Sequence, residues 1–282
     1  MPSTKFKRNA GQIYLSLVPF IATFFAFVTG HISYKIYLPI WIINACLMAT
    51  TAWILGGYAI RGHDTEKKHL AAAALFLFTP WIFITIFAGM GAPPDTAKEW
   101  VETATEQQVR FSILIFSGIL LAFGLAILRA KLSSAGEIFF STLGFIAIII
   151  AIPLYLFNIA FWHSFTLETF KIKIASTSGL TPEWYFPFYK LDKVIMVVEV
   201  VLTYFATAAF AVSIKSVGWF RKTPSNIYII LSVLAISVIL LSPFYPASVI
   251  AADFPYTPFM IPAFSFLLLY FISINLLLRS GD

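Results

Sequence analysis

The sequence predicts an all-α fold: a polytopic transmembrane helix bundle of about eight spans, with both termini cytoplasmic and structured, aromatic-rich outer loops. The composition is the first observation, since 60% of the 282 residues are hydrophobic and only 11% are charged. About a quarter of the residues are charged in an ordinary soluble domain. The second observation is a series of long apolar runs, and the third is the position of basic residues at the ends of those runs. We therefore expect residues 1–282 to form a single transmembrane domain.

Eight apolar runs approach or exceed the roughly 18–20 residues that a helix needs to cross the hydrocarbon core. They cover residues 12–30, 36–60, 70–90, 111–128, 138–162, 194–214, 227–245 and 259–278. The runs lack the alternation of polar and apolar residues that barrel strands show, so helices are expected. The short basic N-terminus leads into the first run without a small-residue cleavage site, and we expect that run to be retained as a span.

The distribution of basic residues predicts the orientation of the bundle. One set of span ends holds twelve of the nineteen lysines and arginines, and the other set holds seven. Cytoplasmic loops carry the excess of basic residues in membrane proteins, so the richer side, which includes both termini, is expected to be cytoplasmic. We expect a cell membrane location, with a bacterial cytoplasmic membrane favoured.

The composition and motifs also exclude several classes of function. The formal net charge of +6 comes from span ends, which favours topology and contacts with anionic lipid over nucleic-acid binding. Cys46 is the single cysteine, so neither an intramolecular disulfide nor a cysteine-based metal site is expected. No phosphate-binding loop, dinucleotide fingerprint or zinc-protease motif occurs. We expect no metal site, and the sequence does not identify a cofactor.

The outer connections are expected to carry the function, because they are longer and richer in Trp, Tyr, Phe and Pro than the cytoplasmic ones. They are residues 91–110, 163–193 and 246–258. Long loops of this composition are more often functional than short polar turns. Any binding site is therefore expected to open outward.

The first outer connection contains a predicted short helix that begins at a capping box on Thr96. Three glutamates recur along it at i, i+3 and i+7: Glu99, Glu102 and Glu106. Arg110 follows Glu106 by four residues and is expected to pair with it. This acidic stripe is interpreted either as a rim that attracts cations or a surface for a partner, or as the solvated face of an interfacial helix with Trp100 anchored among the lipid headgroups.

Glu199 is the most informative single residue, because it lies within an apolar run. Counting from Lys193 at about 1.5 Å a residue places it roughly 9 Å below the outer boundary. An ionisable residue at such depth normally faces the bundle interior or a water-filled cavity. Glu199 is interpreted either as a carboxylate that binds a proton, an ion or a ligand, or as a member of a structural hydrogen bond. Arg110 and His163 are its expected partners if it is functional.

The segment 181–189, TPEWYFPFY, precedes the sixth run and resembles the Pro-Glu-Trp-Tyr segment of the cytochrome b family, with one Leu missing between Phe186 and Pro187. In that family the segment borders the quinol oxidation site on the positive side of the membrane. The resemblance covers nine residues and implies that Glu183 matches the quinol-site carboxylate and Tyr185 its aromatic neighbour. The family's paired haem-binding histidines are missing from the spans, so haem is not implied. The residues themselves, with Trp184, suit a flat amphipathic ligand.

These observations favour a non-enzymatic membrane protein that binds a lipophilic ligand, such as a quinone, pigment or lipid, or that serves as a membrane subunit of a larger complex near the outer leaflet. The expected ligand-binding residues are Glu199, Arg110, His163, Glu183, Trp184 and Tyr185. The alternative is a secondary transporter or ion channel in which Glu199 couples ions or protons. A membrane-embedded enzyme is a third interpretation. The expected partners are the lipid bilayer and either other membrane subunits or further copies of the chain, without nucleic acid.

Overall fold

The computed structural model describes residues 4–28, 30–177, 179–241, 259 and 261–282. Every regular element in these ranges is helical. The elements are α1 (Thr4–Val28), α2 (Tyr34–Leu55), a 3₁₀ turn (Gly57–Arg61), α3 (Thr65–Gly89), α4 (Ala97–Glu102), α5 (Ala104–Ser134), α6 (Phe139–Ala160), a π-helical turn (Phe161–Phe165), α7 (Thr166–Ala175), α8 (Tyr185–Ser216), α9 (Lys222–Leu241) and α10 (Pro262–Ser280).

Eight helices in the described part of the chain are long and apolar enough to cross a membrane, which confirms the predicted number. The fifth of them, Phe139–Ala175, joins α6, the π-helical turn and α7 into one continuous helix. Several spans run beyond their apolar cores, and the sixth begins at Tyr185 rather than at residue 194. The predicted outer connection at residues 246–258 and the end of the seventh run lie outside the described residues.

The helices pack around α10, which contacts α3 and α8 and carries fully buried side chains along most of its length. Lipid tails are as apolar as leucine, so packing between helices rather than escape from water drives their association. Close approach is achieved where a glycine faces a large side chain. A Cβ atom added at Gly124 would lie 2.9 Å from Leu77, and one added at Gly118 would lie 2.7 Å from the Tyr155 ring. These contacts fix α5 against α3 and α6.

Hydrogen bonds and one ion pair join both termini at one end of the bundle, which we call the terminal face. Arg8 pairs with Asp282 at 2.7 Å and donates to the carbonyl of Leu278 at 2.9 Å. The Ser280 hydroxyl donates to the carbonyl of Gly56 at 3.2 Å. The opposite end, which we call the distal face, holds the first residues of α5 and α8. Its identification with the outer side of the membrane is the prediction made from the basic residues.

The outer surface of the bundle is apolar. Large exposed side chains follow one another along α1, α2 and α9, and include Phe20, Phe24, Ile40, Ile43, Ile230 and Val233. Water would strongly disfavour so much contiguous apolar surface on a monomer. This surface suits contact with lipid tails, so the fold supports a bilayer environment.

Glu137, in the turn between α5 and α6 at the terminal face, caps the N-terminus of α6. Its carboxylate accepts hydrogen bonds from the backbone N–H groups of Phe140 at 2.8 Å and Ser141 at 3.0 Å. The Ser213 hydroxyl of α8 also donates to it. Desolvation raises the pKa of Glu137, but these hydrogen bonds together lower it below its ordinary value. The carboxylate therefore ties α8 to the first turn of α6.

Neutralising this cap gives a pH-dependent prediction. Because folding lowers the pKa of Glu137, the ionised carboxylate stabilises the protein above the unfolded pKa, and this contribution is lost as the pH falls through the folded pKa. We expect Glu137→Gln to lower the unfolding temperature in detergent at pH 7. The difference from the unaltered protein should be constant above about pH 5 and should shrink as the pH falls below about 4.3, the ordinary pKa of a glutamate. A difference that is constant with pH would contradict the assigned role.

Candidate functional site

The distal face is more helical than the sequence predicts. The prediction of long loops at residues 91–110 and 163–193 is wrong, because the helices α4, α5, α7 and α8 occupy most of both segments. The expected ends of the spans follow from the apolar residues alone, whereas these helices continue into polar sequence. The Thr96 cap is confirmed, since its hydroxyl accepts a hydrogen bond from the backbone N–H of Glu99 at 3.2 Å. The short helices α4 and α7 pack together and cover this end of the bundle.

Trp100 lies at the centre of the layer that α4 and α7 form over this end of the bundle. The prediction that it is anchored among the lipid headgroups is wrong. The side chain is buried. Its indole N–H donates to the carbonyl of Pro94 at 2.7 Å. Its ring stacks on Phe111 at 6.0 Å and meets the edge of Phe170 at 5.6 Å. Because both polar and apolar parts of the indole find partners inside the protein, Trp100 fastens α4 to α5 and α7.

The acidic stripe is interrupted. Glu102 ends α4 and Glu106 lies in the first turn of α5, so the predicted single helix is two helices joined at Thr103. Glu106 lies 3.7 Å from the His31 imidazole. The expected ion pair between Glu106 and Arg110 does not form, since Arg110 donates to the carbonyl of Gly91 at 2.6 Å instead.

An open groove of about 700 Å³ lies beside this junction, between α2, α3, the end of α4 and the start of α5. Apolar side chains form most of its wall, and a few polar groups lie at its distal end. The lining residues are Tyr37, Leu38, Ile86, Val101, Glu102, Thr103, Ala104, Thr105, Glu106, Val109 and Ile113. Its volume is that of a typical small-molecule site, and a largely apolar wall with a few polar groups is the usual composition of such sites.

A second, smaller hollow of about 210 Å³ lies on the other side of α3, where α1 and α10 approach. Arg110 reaches it from α5. The guanidinium is only 2% exposed and lies over the Phe87 ring, with its central carbon 4.4 Å from the ring centroid. The structure thus places Arg110, a predicted site residue, at the wall of a cavity. Glu199, with which Arg110 is expected to pair, does not line this cavity.

Glu199 is fully buried, at 0% exposure, between α8 and its neighbours, so it does not face lipid. Its expected partners, Arg110 and His163, are not hydrogen-bonded to it. Its carboxyl group instead accepts a hydrogen bond from the Thr203 hydroxyl, one turn later on α8, at 3.3 Å. Its second oxygen has no hydrogen-bond partner among the described residues. Glu199 lies 14 residues into a helix that begins at Tyr185, or about 21 Å along it.

Asp192 is a second buried acid on the same helix, and the sequence analysis missed it. It is 1% exposed and accepts a hydrogen bond from the Asn158 amide of α6 at 3.0 Å, while its other oxygen has no partner among the described residues. The available signal was its distance of seven residues from Glu199, which puts both acids on one face of a helix. This signal is informative only if the helix extends to residue 192, where the apolar run predicts a connection.

The two acids belong to a buried polar line along α8. Thr203 and Thr207 continue it toward the terminal face, and both hydroxyl groups are buried. The opposite side of α8 is apolar and exposed, as Val194 and Phe205 show. Polar residues inside and apolar residues outside are expected for a helix that faces lipid on one side and a bundle on the other. The Tyr155 and Tyr204 phenol groups lie within electrostatic range of Glu199.

The segment that resembles cytochrome b is split by the start of α8. Glu183 and Trp184 are exposed in the turn before the helix, whereas Tyr185 is its first residue and is half-buried. Tyr185 stacks on Phe165 of the π-helical turn, with ring centroids 6.0 Å apart. An aromatic cluster thus forms at the distal face, and it is about 21 Å along α8 from Glu199.

His163 lies in the π-helical turn between α6 and α7, and its Nε2 is 3.2 Å from the Ser112 hydroxyl of α5. It therefore joins α5 to α6 rather than contacting Glu199. The six predicted site residues occupy four separate places, and the structure does not bring them together. Within the described residues, no group of three or more His, Cys, Asp or Glu side chains is placed to hold a metal ion.

Comparisons of the chain with protein-family models, with curated proteins and with solved structures find no match. The function proposed below therefore rests on the geometry of the helices and cavities.

Proposed function

We propose that this chain is a non-enzymatic integral membrane protein that binds a lipophilic ligand of quinone, pigment or lipid type in the outer third of the bundle. The groove between α2, α3 and α5 is the observation that carries the proposal. It is open at the surface of the bundle, it has the volume of a small-molecule site, and its polar groups are gathered at one end. An amphipathic molecule that enters from lipid would place its apolar part along Leu38 and Ile113 and its polar part toward Tyr37 and Glu106.

Ligand occupancy after purification in mild detergent tests this function. We expect native mass spectrometry to show a co-purifying small molecule, and the same experiment reports any partner chain. Val109 is 54% exposed on the groove wall, so Val109→Trp should fill the groove and lower occupancy at least about tenfold.

Phe123→Trp is the matched control for this substitution. Phe123 lies on the same helix, is also 54% exposed, and does not line the groove. Its replacement should leave occupancy unchanged. The proposal fails if no small molecule co-purifies, or if Val109→Trp and Phe123→Trp retain equal amounts.

Transport is the second candidate function, and the buried polar line of α8 favours it. Asp192 and Glu199 each keep a carboxyl oxygen without a partner in the described part of the protein, and neither takes part in an ion pair there. Buried acids without a cation are typical of groups that exchange protons or ions in membrane proteins. In this proposal Glu199 is the coupling carboxylate and Asp192 is its distal neighbour.

Proton or sodium flux into liposomes that contain the purified protein tests the second candidate. Glu199→Gln keeps the shape of the side chain and can still accept from Thr203, so we expect the fold to persist and coupled flux to fall at least about tenfold. Glu168→Gln is the control, because Glu168 is an exposed acid that pairs with Lys171 at the protein surface. Flux that is equal in both variants, or missing in the unaltered protein, would rule out coupling through Glu199.

A further inference from the structure

We propose that the cavity between α1, α3 and α10 binds the headgroup of an anionic amphiphile, a carboxylate or phosphate on an acyl or prenyl chain, with Arg110 as the residue that recognises the anion. This site is separate from the groove that carries the proposed function. The proposal for this cavity therefore rests on separate observations.

The state of Arg110 is the first observation. Its side chain is 2% exposed, and within the described residues Nη2 alone of its nitrogens has an acceptor, the carbonyl of Gly91 at 2.6 Å. Nε and Nη1 are buried and have no hydrogen-bond partner among the described residues. Buried donors of a charged group are costly to leave unsatisfied, because they lose their hydrogen bonds to water without replacing them. Each of these donors shares an edge of the guanidinium with the second N–H of Nη2, and such an edge is the planar fork that matches carboxylate and phosphate oxygens.

The charge of Arg110 is the second observation. None of the four ion pairs in the described ranges includes it. Glu106, one turn earlier on α5, is within electrostatic range of Arg110 but forms neither a hydrogen bond nor an ion pair with it. The Phe87 ring on one side of the guanidinium supplies only a cation–π contact. An anion in the cavity would form the direct ion pair with Arg110 that these neighbours do not form.

The wall of the cavity supplies the third observation. Beyond Arg110 it is formed largely by apolar side chains, including Ala26, Ile84 and Phe264, and no acidic residue is among its described lining. Trp81 also lines it, and the indole N–H of Trp81 is a second buried donor without a partner in the described part of the chain. Three unsatisfied donors on two residues that line an apolar cavity suit an anionic head with a hydrocarbon chain.

The size of the cavity limits the ligand. A volume of about 210 Å³ corresponds to about seven water molecules at roughly 30 Å³ each. It holds a headgroup and the first part of one chain, so the remainder of the chain has to extend out of the cavity. A single-chain amphiphile fits this limit better than a headgroup that carries two chains at its base.

Binding to the purified full chain in an uncharged detergent tests the inference. The probes are palmitate, hexadecyl phosphate, the uncharged hexadecanol, and inorganic phosphate, and binding is followed by native mass spectrometry and by the shift in unfolding temperature. We expect the two anionic amphiphiles to bind at least about tenfold more tightly than hexadecanol, because the alcohol lacks the charge-assisted hydrogen bonds. Inorganic phosphate should not compete, since it lacks the chain.

Arg110→Gln should reduce binding of both anions to the level of hexadecanol and leave hexadecanol unchanged. Arg129→Gln is the matched control: it removes a cation at the other end of the same helix, and it should leave binding unchanged. Because Arg110→Gln carries a risk to folding, Ala26→Phe provides a second variant, which fills the cavity from α1 without altering Arg110. It should reduce anion binding at least about tenfold while its unfolding temperature shows that the fold is kept.

Three results would overturn the inference: equal binding of hexadecanol and the anions, equal binding by folded Arg110→Gln and the unaltered protein, or competition by inorganic phosphate. Asp253 lies outside the described residues. The variant Asp253→Asn tests whether this carboxylate, rather than a bound anion, is the counter-ion of Arg110. Anion binding that rises at least about tenfold in this variant would also overturn the inference, and unchanged binding supports it. Failure here leaves the groove proposal intact, because Val109→Trp tests the groove separately.

Discussion

Replacing Gly56 by alanine is expected to destabilise the bundle by about 3 kcal/mol, at the upper end of the range for overpacking. The added methyl group would collide with the backbone carbonyl oxygen of Leu277 in α10 and approach the Ser280 hydroxyl to 2.6 Å. A flexible side chain could turn aside, but a helix backbone cannot. The end of α10 therefore has to shift, and the hydrogen bond from Ser280 to the Gly56 carbonyl is lost with it.

The free energy of unfolding in mild detergent measures this effect, and Gly30→Ala is the control. A methyl group added at Gly30 meets no atom within 4 Å, so this variant should change stability by less than about 0.5 kcal/mol. Equal stability of the two variants would show that α10 is not held against Gly56 as the structure describes.

Tyr155→Ala is expected to cost about 3–5 kcal/mol, the usual loss for a large aromatic side chain removed from a core. The Tyr155 ring is buried against Gly118, with the Phe266 ring 5.0 Å away. Its hydroxyl donates to the carbonyl of Leu114 at 3.0 Å. Alanine would leave a cavity at the junction of α5, α6 and α10, within electrostatic range of Glu199.

Tyr155→Phe separates the ring from the hydroxyl group. It keeps the packing and loses one hydrogen bond, so we expect a cost of about 1 kcal/mol. Phe157→Ala is the control on the same helix, because Phe157 is 47% exposed on the lipid side and its loss leaves no internal cavity. Unfolding free energies that are equal for Tyr155→Ala and Phe157→Ala would contradict the packing described for α6.

The sequence was sufficient for the number of spans, because the length of an apolar run is a physical requirement of the bilayer. It was not sufficient for their ends. The residues from Tyr185 to Lys193 contain charges and a proline, so they were predicted as a loop, yet they form the first turns of α8. A helix does not have to stop where the hydrocarbon does, and apolar run length carries no information about its extension into the headgroups. Asp192 was missed for the same reason.

The candidate sites were predicted only in part. The interior position of Glu199 follows from the cost of an acid in lipid, and its burial agrees with that expectation. The cavity at Arg110 was beyond prediction, because its walls come from α1, α3 and α10, which are far apart in the chain. Periodicity within one helix does not show which distant helices meet. The assignment of ligand-binding roles to Glu183, Trp184 and His163 stays a prediction.

The buried acids of α8 also affect how the protein is made. A charged side chain at the centre of a helix costs about 3 kcal/mol when the helix enters the membrane from the translocon. Asn158 of α6, which donates to Asp192, lies earlier in the chain and is synthesised before α8. When α8 leaves the ribosome, its polar face therefore has a partner helix already in the membrane. The order of the helices along the chain therefore favours membrane insertion of α8, since α8 with its two buried acids is synthesised after α6, the helix that binds Asp192.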